Sequence, residues 1–61
     1  MTIGKQVKNK REEFGLTQMQ LATKAGISLD TLSRIENNRN SNPTMFVINA
    51  LQKALGITFE I

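Results

Sequence analysis

"LTQMQLATKAGISLDTLSRIENNR" (residues 16–39) contains two helix starts separated by a single glycine. Thr17 and Gln20 have the spacing of a capping box, in which each side chain satisfies a backbone N–H at the helix start. Leu16 before that cap and Leu21 after it are spaced as a hydrophobic staple. This predicts a helix over residues 18–25, ended by a left-handed turn at Gly26. The devices then recur: Ser28 caps a second helix, Ile27 and Leu32 form its staple, and Asp30 sits where the helix dipole favours negative charge. Two helices this short are marginal in water unless they pack. Leu32 and Ile35 point inward, Asp30, Ser33, Arg34 and Asn37 point away, and Leu29 lies on the boundary. Leu21, Ala22, Ala25, Gly26, Ile27, Leu32 and Ile35 supply the small residue, turn glycine and inward aliphatics that a helix-turn-helix needs, because its helices cross steeply through a tight turn.

On the amino-terminal side, Ile3, Val7, Arg11 and Phe14 fall on one helical face with Lys5, Lys8 and Lys10 around the rest, and Gly15 stops that helix. On the other side, "NNRNSNP" (residues 37–43) has loop composition. Thr44 then caps a helix with Val47, Ile48, Leu51, Ala54 and Leu55 on its buried face, and Gly56 closes it. The last five residues, "ITFEI", alternate apolar and polar in a strand pattern.

Sixty-one residues make one domain, residues 1–61. A chain of this size buries only about 60% of its unfolded surface. With no cysteine and no histidine it has neither disulfides nor the usual metal ligands, so oligomerisation is the remaining way to bury more apolar surface. The longest purely apolar run, residues 45–48, is too short to span a membrane or form a signal core, so a cytoplasmic protein is expected. The net charge of +3 is uneven: residues 1–39 hold seven Lys/Arg against four Asp/Glu, and residues 40–61 hold one of each. The basic part of the chain includes the two-helix stretch, which favours a polyanionic partner. Glu12 and Glu13 do not face each other on a helix and read as surface. Without histidine, cysteine or a phosphate-cradling glycine loop, no catalytic residue, metal or cofactor is expected, and an enzyme is rejected.

"GLTQMQLATKAGISLDTLSRIENNR" resembles the DNA-binding domain of the lambdoid-phage repressor and Cro group, the XRE-type regulators. The resemblance covers about residues 3–56, including the "GLTQ" entry, the "LSRIEN" end of the reading helix and Pro43. It implies an all-α, compact bundle of four to five helices that binds operator DNA as a dimer, with the helix-turn-helix over residues 18–37. "TMFVINALQKALGITFEI" is similar to the end of the HipB-type regulators, which are antitoxins and autorepressors. That likeness implies a dimerisation segment over residues 44–61, whose short terminal β-strand pairs across the dimer.

Carried over by position, the resemblance implies that Gln18 grips a phosphate and that Leu29, Asp30 and Arg34 occupy base-reading positions. Asn37 and Arg39 occupy backbone-contacting places, and Ser28, Thr31 and Ser33 complete the DNA-facing set. Leu29 suits a thymine methyl, Asp30 a cytosine amine and Arg34 a guanine edge. Asp30 is fully explained by the helix dipole alone. Arg11 and Glu36, charged residues on the core sides of their helices, match a structural ion pair of the phage repressors. Phe46, Ile57, Phe59 and Ile61 are the expected dimerisation residues, the alternative for the tail being that it folds onto the fourth helix and completes the core. The expected function is a sequence-specific double-stranded-DNA-binding transcriptional regulator, a repressor or autorepressor that binds a palindromic operator as a homodimer. The alternative is an antitoxin of a HipBA-like pair that neutralises a toxin protein.

Overall fold

Every helix starts on a hydroxyl side chain. The computed structural model describes residues 2–39 and 43–60, and these form four helices: α1 (Ile3–Glu13), α2 (Gln18–Ala25), α3 (Leu29–Glu36) and α4 (Met45–Leu55). Thr2, Thr17, Ser28 and Thr44 are the N-caps, each accepting the backbone N–H three residues on. The capping box at α2 is complete: Gln20 N–H donates to Thr17 Oγ1 at 3.1 Å, and Thr17 N–H donates to Gln20 Oε1 at 2.8 Å.

The helix ends are as regular as the starts. Gly26 takes φ 74°, Ile27 N–H donates to Ala22 O at 3.0 Å, and the chain turns directly into the Ser28 cap. Composition alone assigned residues 37–43 to a loop, yet α3 closes by the same device without a glycine. Asn38 adopts φ 58°, and Arg39 N–H donates to Arg34 O at 2.8 Å. Residues 40–42 of that loop lie outside the described residues.

One core joins all four helices. Val7, Leu21, Ala22, Leu32, Ile35, Ile48, Leu51 and Leu55 are buried, with Leu16, Ile27, Val47 and Ala54 packed at its margin. Phe14 is different: it is half exposed, because the helix has ended and the residue serves as the C-cap of α1. α1 and α3 cross very closely at Gly4, which is buried. A Cβ there would collide with the carbonyl oxygen of Ile35, a backbone atom that has no rotamer by which to move aside.

The expected terminal strand is not formed among the described residues. Residues 57–60 have no strand pairing, and Phe59, expected at a dimer contact, is buried in the chain's own core with Ile57 packed beside it. The physical reason is a pair of glutamine side chains that do what a neighbouring strand would do. Gln6 Nε2 donates to Glu60 O at 2.7 Å while Glu60 N–H donates to Gln6 Oε1 at 2.8 Å. Gln52 Oε1 accepts the Phe59 N–H at 3.0 Å. The primary amide of Gln6 thus presents donor and acceptor together, as a peptide group does, and Phe59 gains a core position. Ile61 lies outside the described residues.

Candidate nucleic-acid interface

The orientation of α3 is set from behind by a carboxylate. Glu36, in its last turn, has a side chain only 2% exposed, and it accepts from Arg11 Nε at 2.8 Å and from Arg11 Nη2 at 2.9 Å. Arg11 also donates through Nη1 to Leu16 O at 2.8 Å, so one guanidinium ties α1 to α3 and to the entry of α2. Charge-assisted forked contacts of this kind are strong and geometrically specific. The hydrogen bond to Glu36 is the main cause of a raised Arg11 pKa, assisted by the charges of Glu36 and Glu12 and opposed by burial. With its carboxylate partner ionised, a raised arginine contributes stability that is fully present below its ordinary pKa and is lost as pH rises into strong alkali.

Gln18 completes this network. Its Nε2 donates to Glu36 Oε1 at 3.1 Å, which fixes the first turn of α2 beside the last turn of α3. The side chain expected to grip a phosphate is therefore half-buried and turned inward. The opening backbone N–H groups of α2 point along the axis out of its amino end, as the first N–H groups of any helix do.

The remaining expected residues lie on or beside one outer face of α3. Leu29 is 40% exposed, and Asp30 and Arg34 are exposed and pair with each other, Arg34 Nε standing 3.0 Å from Asp30 Oδ2. Ser28 and Thr31 are occupied with the helix start: Ser28 Oγ accepts from Thr31 N–H at 3.1 Å and donates to Thr31 Oγ1 at 2.7 Å. Ser33 is half-buried and accepts from Asn37 Nδ2 at 3.3 Å, while Asn37 and Arg39 are exposed past the helix end. Of the expected dimerisation residues, Phe46 is 73% exposed, at a groove between α2 and α4 that Ala25, Ala50 and Ala54 also line.

Two features of the site escape a reading of its residues one at a time. Gln18 as a buttress of Glu36 carries no periodic signal, because an amide at a helix start is compatible with either side. The Asp30–Arg34 pair has the i,i+4 spacing of opposite charges, which an assignment of each residue to its own base passes over. Among the described residues no cluster of His, Cys, Asp or Glu could hold a metal ion, and no helix is long and apolar enough to cross a membrane.

A helix-turn-helix family model matches residues 7–61. An immunity repressor protein of Bacillus phage phi105 is 46% identical over 57 residues, covering 93% of this chain and 39% of the phage protein. The transcriptional repressor RghR of Bacillus subtilis is 42% identical over 59 residues, 97% of this chain and 44% of its own length. The chain thus spans less than half of either relative. A solved SinR protein/SinI protein complex superposes with a TM-score of 0.89 at 33% identity, over 93% of this chain and 55% of the matched chain.

Proposed function

The chain belongs to the helix-turn-helix family of XRE-type regulators, and on that footing we propose that it is a sequence-specific DNA-binding transcriptional repressor. The observation that carries the reading is the exposed outer face of α3, held rigidly from behind by Arg11, Glu36 and Gln18. In this reading α3 enters the major groove and the amino end of α2 meets a phosphate. The phosphate contact falls to the opening backbone N–H groups of α2, favoured by its dipole, since the Gln18 side chain is engaged with Glu36. Asn37 and Arg39 contact the DNA backbone and set the register, assisted by Ser28 and Thr31 at the helix start. Leu29, Asp30, Ser33 and Arg34 face base edges, Arg34 having the donor geometry for guanine O6 and N7. The kinship with a phage immunity repressor and with RghR supports repression, by occupancy of promoter DNA in the cytoplasm.

The finer proposal is a homodimer on a palindromic site, its reading helices about one DNA turn apart. With Phe59 taken up by the chain's own core, the two-fold contact falls to Phe46 and its exposed neighbour Met45. The antitoxin reading rested on the terminal strand and has no observation behind it once residues 57–60 fold onto the chain's own helices.

Selection of bound sequences from random duplex DNA, followed by titration of the winner at several salt concentrations, tests the function. The expected result is a recurrent half-site and an affinity that falls steeply with salt through counterion release. Unenriched sequence with a flat salt response overturns it.

A further inference from the structure

Asp30 and Arg34 lie one turn apart on the exposed face of α3, with side chains 74% and 62% exposed. An ion pair so open to water adds little to stability, so its consequence is geometric. The contact runs through Nε, on the flank of the guanidinium. Guanidinium is a planar fork of five donors, and a partner whose closest approach is to Nε leaves the donors of the Nη1/Nη2 end for another acceptor. That end is the one that matches the paired O6 and N7 acceptors of guanine.

We infer that Asp30 is a positioning residue for Arg34: it holds the guanidinium by its Nε flank so that the terminal edge meets one guanine of the operator. The inference rests on the reading of α3 as the DNA-reading helix and assigns Asp30 a role other than contacting a base of its own. An unheld arginine loses more rotamer freedom on forming the forked contact than one already held, so pre-organisation strengthens the cognate contact selectively. The Asp30 charge adds a second discrimination. Where Arg34 meets no guanine, an exposed carboxylate remains close to the polyanion and disfavours binding. Asp30 therefore raises specificity by strengthening the cognate complex and weakening the others.

The experiment measures affinities at fixed salt for the selected operator and for copies altered at each position, including 7-deazaguanine in place of each guanine. Wild type, Arg34→Ala, Asp30→Ala and Asp30→Glu are compared, with thermal midpoints for each. Arg34→Ala identifies the guanine. At that position Asp30→Ala should lower discrimination about tenfold, lose sensitivity to 7-deazaguanine and bind unrelated DNA more tightly. Asp30→Glu keeps a carboxylate within reach of Arg34 and should retain most of the discrimination. If Asp30→Ala shifts preference at a different base and leaves the guanine position intact, Asp30 reads a base itself and the inference fails. It fails also if Asp30→Ala weakens every sequence alike with a lowered thermal midpoint, the mark of a dipole role only. Unchanged specificity in Arg34→Ala is a separate outcome, which overturns the reading of α3 itself and the inference with it.

Discussion

Glu36 accepts three hydrogen bonds while almost wholly withdrawn from water, two from Arg11 and one from Gln18. Glu36→Ala strands the Arg11 guanidinium in a site only 12% exposed. Breaking a buried pair from one side costs roughly 3–5 kcal/mol, against a total stability of about 0.05–0.15 kcal/mol per residue for a native domain. Most molecules of the variant should therefore be unfolded or close to it, as a urea titration followed by circular dichroism will show. A midpoint within error of wild type would mean that water reaches the pair. Gly4 makes a second residue-scale test. Gly4→Ala favours helix locally, yet the added Cβ must displace the Ile35 carbonyl, and overpacking of this kind costs about 1–3 kcal/mol. The net effect should be a lowered thermal midpoint; an unchanged or raised one would show that α1 can lift off α3 at no cost. The two residues differ in how far the sequence announces them. A charged Arg11 on an apolar helical face declares a buried partner, whereas Gly4 declares nothing until the distance between two helices is known.

Helix starts and turns were legible because they are local chemistry: a hydroxyl three residues before a backbone N–H, or a glycine where φ must be positive. Thr17, Ser28, Thr44 and Gly26 were all readable in this way. The tail was not, because alternation in "ITFEI" reports only that one side of an extended segment is apolar. It does not say whether the backbone partner is a second strand or, as here, the side-chain amides of Gln6 and Gln52. The element-scale prediction follows from Phe59, only 4% exposed among Val7, Leu51 and the other core residues. Phe59→Ala should destabilise the domain by roughly 3–5 kcal/mol and leave the oligomeric state of the folded fraction unaltered. Gln6→Leu removes the amide clamp, and should increase hydrogen exchange at Glu60 far more than in α3. If Phe59→Ala instead dissociates a dimer without loss of monomer stability, the tail belongs to an interface after all.

For the whole molecule, the decisive quantity is the sign of the salt effect on each of its two associations. The proposed DNA face carries Arg34 and Arg39, so added salt should weaken DNA binding. The proposed self-contact at Phe46 carries charge of one sign only. Neither α2 nor α4 contains an acidic residue, and Lys24 and Lys53 line the same groove as Phe46. A two-fold axis through that surface brings lysines towards lysines, a repulsion that salt screens within about 8–10 Å at physiological strength. Apolar burial of Phe46 and Met45 must supply the attraction, at about 25 cal/mol per Å² of apolar surface removed from water. Self-association in the absence of DNA should accordingly strengthen with salt while operator affinity falls, so that an intermediate ionic strength gives the most cooperative occupancy of a palindrome. Sedimentation equilibrium of the protein alone, at low and high salt, reads the first trend directly. Phe46→Asp should abolish the dimer at both while leaving the thermal midpoint of the monomer nearly unchanged, because this side chain is 73% exposed. A dimer that survives Phe46→Asp, or one that dissociates as salt is added, would place the two-fold contact on another surface.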